Sequence, residues 1–138
     1  MANELDKLQD NLNYQFSDLG LLELALTHRS AEKNHNERLE FLGDSLLGFI
    51  VSDSLYQQHP SATEGELSRM RSSIVNNASL AAIAREMRLG DHLRLGSGES
   101  KSGGNERDSI LADSVEALIA SVYLDAGISA CIKLVNKW

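Results

Sequence analysis

The stretch that most constrains this chain is Asn36 to Ile50, NERLEFLGDSLLGFI. At about 3.6 residues per turn, Glu37, Glu40 and Asp44 fall at i, i+3 and i+7 and share one helical face. Leu39, Leu42, Leu46, Phe49 and Ile50 take the opposite side, and further along the acidic arc itself carries Leu47, Val51 and Leu55. A helix that is apolar nearly all round after its first two turns is central and buried. Carboxylates at the mouth of such a helix repel one another and resist desolvation unless a cation neutralises them. Two readings compete on these residues alone. One is a metal-binding face. The other is a solvated acidic first turn favoured by the helix dipole, with Asn34 and Glu37 forming an Asn-x-x-Glu cap. Asp44, two turns in and beside the apolar arc, fits the second poorly.

A second acidic pair lies in RDSILADSVEALIASVYLDAG, Arg107 to Gly127. Asp113 and Glu116 stand at i and i+3 among Ile110, Leu111, Val115, Leu118 and Ile119. Their i±4 positions are Ser109, Ala117, Ala112 and Ala120, so neither has the Lys or Arg that supports a surface acid. The small neighbours allow another helix to approach closely. Glu40, Asp44, Asp113 and Glu116, without Cys or well-placed His, make a hard oxygen set suited to Mg²⁺ or Mn²⁺ and unlike a zinc site. Mg²⁺ held by a few carboxylates typically acts on phosphates. The competing arrangement is a bundle whose buried acids pair with Arg69 or Arg71. A di-iron bundle lacks its Glu-x-x-His pairs here.

Composition narrows the class. The 138 residues, 42% hydrophobic and 24% charged, fit one globular domain. No run of eighteen apolar residues occurs and the N-terminus is polar, so neither a membrane span nor a signal peptide is expected. The one cysteine, Cys131, lies among Ile128, Ile132, Leu134 and Val135 and reads as a packed thiol in a reducing, cytoplasmic setting. A net charge of −7 argues against holding nucleic acid by electrostatics alone. It leaves nucleic acid open as a substrate, because bound cations reverse the local sign.

The expected fold class is all-α, since no period-two alternation and no Asn-Gly or Asp-Gly turn appears. A first helix covers about residues 3 to 11 and runs toward Leu12; Asn13 to Phe16 turns. Ser17 caps a helix reaching about Thr27, with Leu19, Leu22, Ala25 and Leu26 inward. His28 and His35, in the polar stretch before the central helix, read as structural hydrogen-bonders. The central helix ends near Gln58, before His59-Pro60. Thr63, with Glu66 three residues on, caps a helix expected to run to about Arg88. Residues 95 to 104, LGSGESKSGG, read as a mobile loop without the order of a phosphate-binding loop; Lys101 and Arg107 lend it basic character. A long helix starts at Asn105 or Asp108 and stops at Gly127, and a last one starts at Ser129.

The string NERLEFLGDSLL resembles the signature of bacterial ribonuclease III, the double-stranded-RNA endonuclease. The likeness continues through LTHRS at 26 to 30, EGELSRMRSSIV at 64 to 75, LRLGSGESKSGG at 93 to 104 and ILADSVEALIASVYLD at 110 to 125. It implies a helical endonuclease domain over residues 1–138 that forms a symmetric homodimer, one catalytic centre per subunit. Glu40, Asp44, Asp113 and Glu116 match the family's metal-binding carboxylates, with Asp44 and Glu116 in catalytic roles. Glu37 and Glu64 match further acids of the catalytic valley, and Phe41 matches a dimer-interface position. The implied cofactor is Mg²⁺, for which Mn²⁺ can substitute, and the implied partner is double-stranded RNA. The implied products carry 5′-phosphate and 3′-hydroxyl ends, in processing of ribosomal and other RNA precursors. Bacterial members usually add a basic RNA-binding domain after the nuclease domain; the sequence stops at Trp138, so weak, salt-sensitive RNA binding is expected. A non-catalytic dimer is the rival, and the presence of all four acids speaks against it.

Overall fold

A helix with apolar residues on every side has to be surrounded. In the computed structural model, which describes residues 4–138, that place belongs to α7 (Asp108–Ala126) and not, as expected, to the helix that carries Asn36 to Ile50, which is buried on one side and leaves Phe41, Phe49 and Tyr56 exposed on the other. α7 buries an unbroken run from Ser114 to Val122. The other helices, in chain order, are α1 (Glu4–Leu12), α2 (Leu19–Ala25), α3 (Glu37–Gln58), α4 (Glu64–Ile74), α5 (Asn77–Glu86), α6 (Ser97–Lys101) and α8 (Ile128–Asn136). α3 lies along α7 in the most extensive interface of the fold, and α2, α5 and α8 close round the remaining sides. Leucine, isoleucine, valine and alanine fill the core, with Cys131 among them. Burial pushes the Cys131 thiol up to about 11, so this sulfur packs rather than reacts. Alkylation of the folded protein with iodoacetamide at pH 8 is therefore expected to be negligible until denaturant is added.

No strand forms among the described residues; Thr27 and Arg94 make one isolated parallel bridge. This bridge ties the chain before α3 to the chain before α6. Asp125, near the end of α7, gathers the Tyr14 hydroxyl and the amides of Ser17 and Asp18, which fastens the α1–α2 turn to the central helix.

The limits of α3, the Thr63 cap of α4 and the stop at Gly127 (φ 93) agree with the local patterns. Four local expectations change. The helix expected from Thr63 to Arg88 is two helices: Val75 leaves helical geometry, and the Asn76 side chain accepts the Ser79 amide at 2.9 Å to start α5. Asp18 rather than Ser17 caps α2, its side chain accepting the Gly20 amide at 2.9 Å, and Leu19 is 40% exposed rather than inward. Asn36, not Asn34, precedes α3, and it provides no side-chain cap. Residues 97–101 form a helical turn instead of an irregular loop.

Asn36 is a tie between segments. It is buried, its side chain donates to the Ala25 carbonyl at 3.0 Å, and its own amide donates to Thr27 at 2.9 Å. Asn36→Ala leaves the Ala25 carbonyl without that donor. We expect a loss of about 1–3 kcal/mol in urea unfolding, with the m-value unchanged.

Candidate active site

The site exists because α3 and α7 approach at one point without a side chain between them. Gly43 makes this possible: a Cβ there would sit 1.7 Å from the Glu116 carbonyl oxygen. Glu40 and Asp44 flank Gly43 on α3, so the close crossing sets them against Asp113 and Glu116 of α7. Glu40, Asp113 and Glu116 each place a carboxylate oxygen within 4.8 Å of the other two. Asp44, more exposed, faces Glu116 at hydrogen-bonding range. Two pairs that lie about seventy residues apart in sequence thus form one cluster.

The electrostatics of that cluster are unfavourable as it stands. Among the described residues no Lys or Arg forms an ion pair with any of the four acids. The expected alternative, acids paired to Arg69 or Arg71, is therefore not what the fold builds; Arg71 instead donates to Ser52 at 3.0 Å. Burial first, then the neighbouring Asp44, Glu40 and Asp113, push Glu116 up to about 9. Glu40 rises to about 7 through burial and the closeness of Asp113, Glu37 and Asp44. Burial also raises Asp113, although its bond with Glu40 and the charges of His28 and Arg29 pull the other way. Without a cation Glu116 holds its proton at neutral pH and Glu40 holds one part of the time. The donor chemistry fits a hard divalent cation: three carboxylate oxygens converge and no thiol or imidazole joins them.

The remaining candidates divide. Glu37 lines the mouth of the acidic pocket, 3.9 Å from the Arg29 guanidinium. Glu64 begins α4, where its carboxylate accepts the Ser68 hydroxyl at 3.1 Å, and it does not join the cluster within one chain. Phe41 is not part of the cluster and is 77% exposed. The local patterns did not single out Arg29 and Glu99, which also border the pocket, or bring His28, His35 and Arg107 to it. These come from α6 and from the loops around it and before α3, segments joined through the Thr27–Arg94 bridge, a contact that no periodicity encodes.

Comparison with known proteins gives this geometry a family. A Ribonuclease-III-like family model matches residues 18–138. The chain is 56% identical over its whole length to a protein named Ribonuclease 3 from Vibrio campbellii, of which it covers 61%. It is 59% identical over 134 residues to the Ribonuclease 3 of Shewanella amazonensis, covering 59% of that protein. The chain thus spans about three fifths of the length of these curated relatives. Among solved structures, a nuclease domain of ribonuclease III from Campylobacter jejuni, described with a region involved in dimer formation, superposes with a TM-score of 0.95. Identity is 40%, covering 97% of this chain and 94% of that one. Dicer from Pichia stipitis superposes with a TM-score of 0.64 at 32% identity, over 83% of this chain and 48% of that one. The helix order, the crossing of α3 on α7 and the sequence likeness lead to one assignment: the chain belongs to the ribonuclease III family.

Proposed function

We propose that residues 1–138 form an endonuclease domain that hydrolyses the phosphodiester backbone of double-stranded RNA with Mg²⁺ as cofactor, Mn²⁺ substituting. The observation that carries this reading is the convergence of Glu40, Asp113 and Glu116 on one point, flanked by Asp44, with the pKa values of Glu40 and Glu116 raised by burial and by the neighbouring carboxylates. Glu40, Asp113 and Glu116 would hold the cation, and Asp44 would add a further oxygen directly or through water. A bound divalent cation supplies polarisation of a phosphoryl oxygen and lowers the pKa of an attacking water. The protein's own part is to present these oxygens from two rigid helices, to give up the protons they hold, and to keep Asp44 and Glu116 aimed at the same spot. Products with 5′-phosphate and 3′-hydroxyl ends, a role in processing ribosomal and other RNA precursors, and a cytoplasmic location belong to this proposal. No helix among the described residues is long and apolar enough to cross a membrane.

The proposal includes a symmetric homodimer. Along α3 the stripe Phe41, Phe49 and Tyr56 is 77%, 60% and 69% exposed, and Ile74 at the end of α4 is 45% exposed. Large apolar side chains in a row on a soluble domain mark an interface. The relative from Campylobacter jejuni has a region involved in dimer formation. Glu64, apart from the acids of its own chain, would then be free to serve the valley formed with the second copy. Phe41→Ala is expected to weaken dimerisation by roughly 10- to 100-fold, read by analytical ultracentrifugation.

The direct test of function is a long, perfectly paired RNA at low salt, with Mg²⁺ or with EDTA. Mg²⁺-dependent cutting into 5′-phosphorylated fragments supports the reading. Cutting that persists in EDTA, or no cutting at micromolar protein, overturns it.

A further inference from the structure

We propose that Arg107 is a phosphate-binding residue of this site, held ready at the mouth of the acidic pocket to take a backbone phosphate of the RNA; the inference rests on the nuclease reading above. A polyanion that enters a pocket bordered by Glu37, Glu40, Glu99 and Asp113 meets repulsion before it meets anything favourable. Two guanidinium groups border the same pocket, those of Arg29 and Arg107. They differ in how they are held. Arg29 is largely exposed and its one ion pair, to Glu37, is loose at 3.9 Å. Arg107 is fixed from several sides: Nη1 makes an ion pair with Glu99 Oε2 at 3.1 Å, and Nη2 donates to the Ser102 hydroxyl at 3.2 Å and to its carbonyl at 3.4 Å.

The holder is itself built. Glu99 accepts the Ser102 hydroxyl and packs over Gly104, where a Cβ would lie 2.6 Å from its Cγ. At the other end of the loop the Gly96 amide donates to Ser30 Oγ, which also meets His28 Nδ1 at 2.7 Å. A glycine- and serine-rich stretch that composition alone marks as mobile is thus fastened at both ends. Arg107 immediately precedes α7, so its Cα keeps a set distance from Asp113 and Glu116 further along that helix. A guanidinium so placed can take a phosphate oxygen with the N–H donors that neither Glu99 nor Ser102 uses. It can do so without releasing its clamp.

The test compares Arg107→Ala, Arg107→Lys and Arg85→Ala in steady-state cleavage of duplex RNA across a range of salt. Arg85 is the control, because it also anchors this region, through the Glu106 carbonyl and Asp108, but lies off the acidic pocket. We expect Arg107→Ala to raise KM by about tenfold with kcat changed by less than about threefold. The slope of log(kcat/KM) against log salt should shrink by about one. Arg107→Lys should restore most of the salt slope and part of the affinity, whereas Arg85→Ala should leave KM and slope unchanged. An Arg107→Ala enzyme that loses kcat at unchanged KM and slope, or that behaves like Arg85→Ala, overturns the assignment and leaves the nuclease intact. A wild-type protein that does not cut duplex RNA overturns both.

Discussion

Glu116→Gln should abolish cleavage and, in the absence of metal, make the protein more stable at alkaline pH. The two effects share one cause. Glu116 is 7% exposed and faces three other carboxylates, so its ionised form is disfavoured and its pKa stands at about 9. A carboxyl whose folded pKa lies above its unfolded value of about 4.3 contributes full stability below that value. The contribution is lost as pH rises toward the folded pKa. Glu40, raised to about 7, acts in the same direction over the lower part of the window. Metal-free wild type should therefore fall progressively behind Glu116→Gln in Tm between about pH 5 and pH 9. Added Mg²⁺ should raise the wild-type Tm and leave the variant nearly unmoved. The price of the neutral side chain is catalysis: glutamine keeps the shape but not the charged oxygen. A loss on the order of a thousandfold in kcat/KM, or about 4 kcal/mol of transition-state stabilisation, is expected. A variant that cleaves within tenfold of wild type would remove Glu116 from the site.

The second large effect concerns a residue with no functional group. Gly43→Ala places a methyl 1.7 Å from the Glu116 carbonyl oxygen and 2.4 Å from its carbon. Both are backbone atoms, so no side chain can turn aside and the two central helices must separate. Overpacking of this kind costs about 3 kcal/mol or somewhat more, which for a domain of this size lowers Tm by roughly 10 °C. The same displacement pulls Glu40 and Asp44 away from Asp113 and Glu116. Misplacement by about 1 Å is enough to lose a hundredfold in rate, so activity should fall at least that far even at temperatures where the variant is folded. Gly98→Ala is the control: a Cβ there meets nothing within 4 Å, and stability should change by less than about 1 kcal/mol. Thermal melts by circular dichroism, paired with cleavage assays well below the lowest Tm, separate the two consequences.

The main helices and the acids that meet in the site were legible because the signals are local and repeated. Glu40 with Asp44, and Asp113 with Glu116, each lie within about a turn, on strongly apolar helices, and lack the basic neighbours a solvated acid would have. Where the local reading failed, a long-range contact or a competing cap decided the outcome. Ser17 and Asp18 are both good caps, and the place where the helix starts is set as the chain is fastened by their two amides to Asp125, more than a hundred residues away. Apolar residues on both sides of Asn76 look like one stripe, yet that side chain prefers the Ser79 amide and starts a new helix. The loop before α7 shows the same effect on a functional scale. Its glycines signal mobility in isolation, but one of them, Gly104, serves to seat Glu99, which in turn orients Arg107. Phe41 shows the reverse case: the helix places it outside, where the proposed homodimer would cover it.

The most direct test of the central claim is calorimetric titration of Mg²⁺ or Mn²⁺ into the metal-free protein at pH 7.5, in buffers of different ionisation enthalpy. With Glu116 at about 9 and Glu40 at about 7, the cluster holds at least one proton at that pH. Binding should therefore release roughly one proton per site, and Glu116→Gln should abolish both the binding and the release. Metal binding with no proton exchanged, or binding that survives in Glu116→Gln unchanged, would contradict the assignment of these four acids as a metal centre.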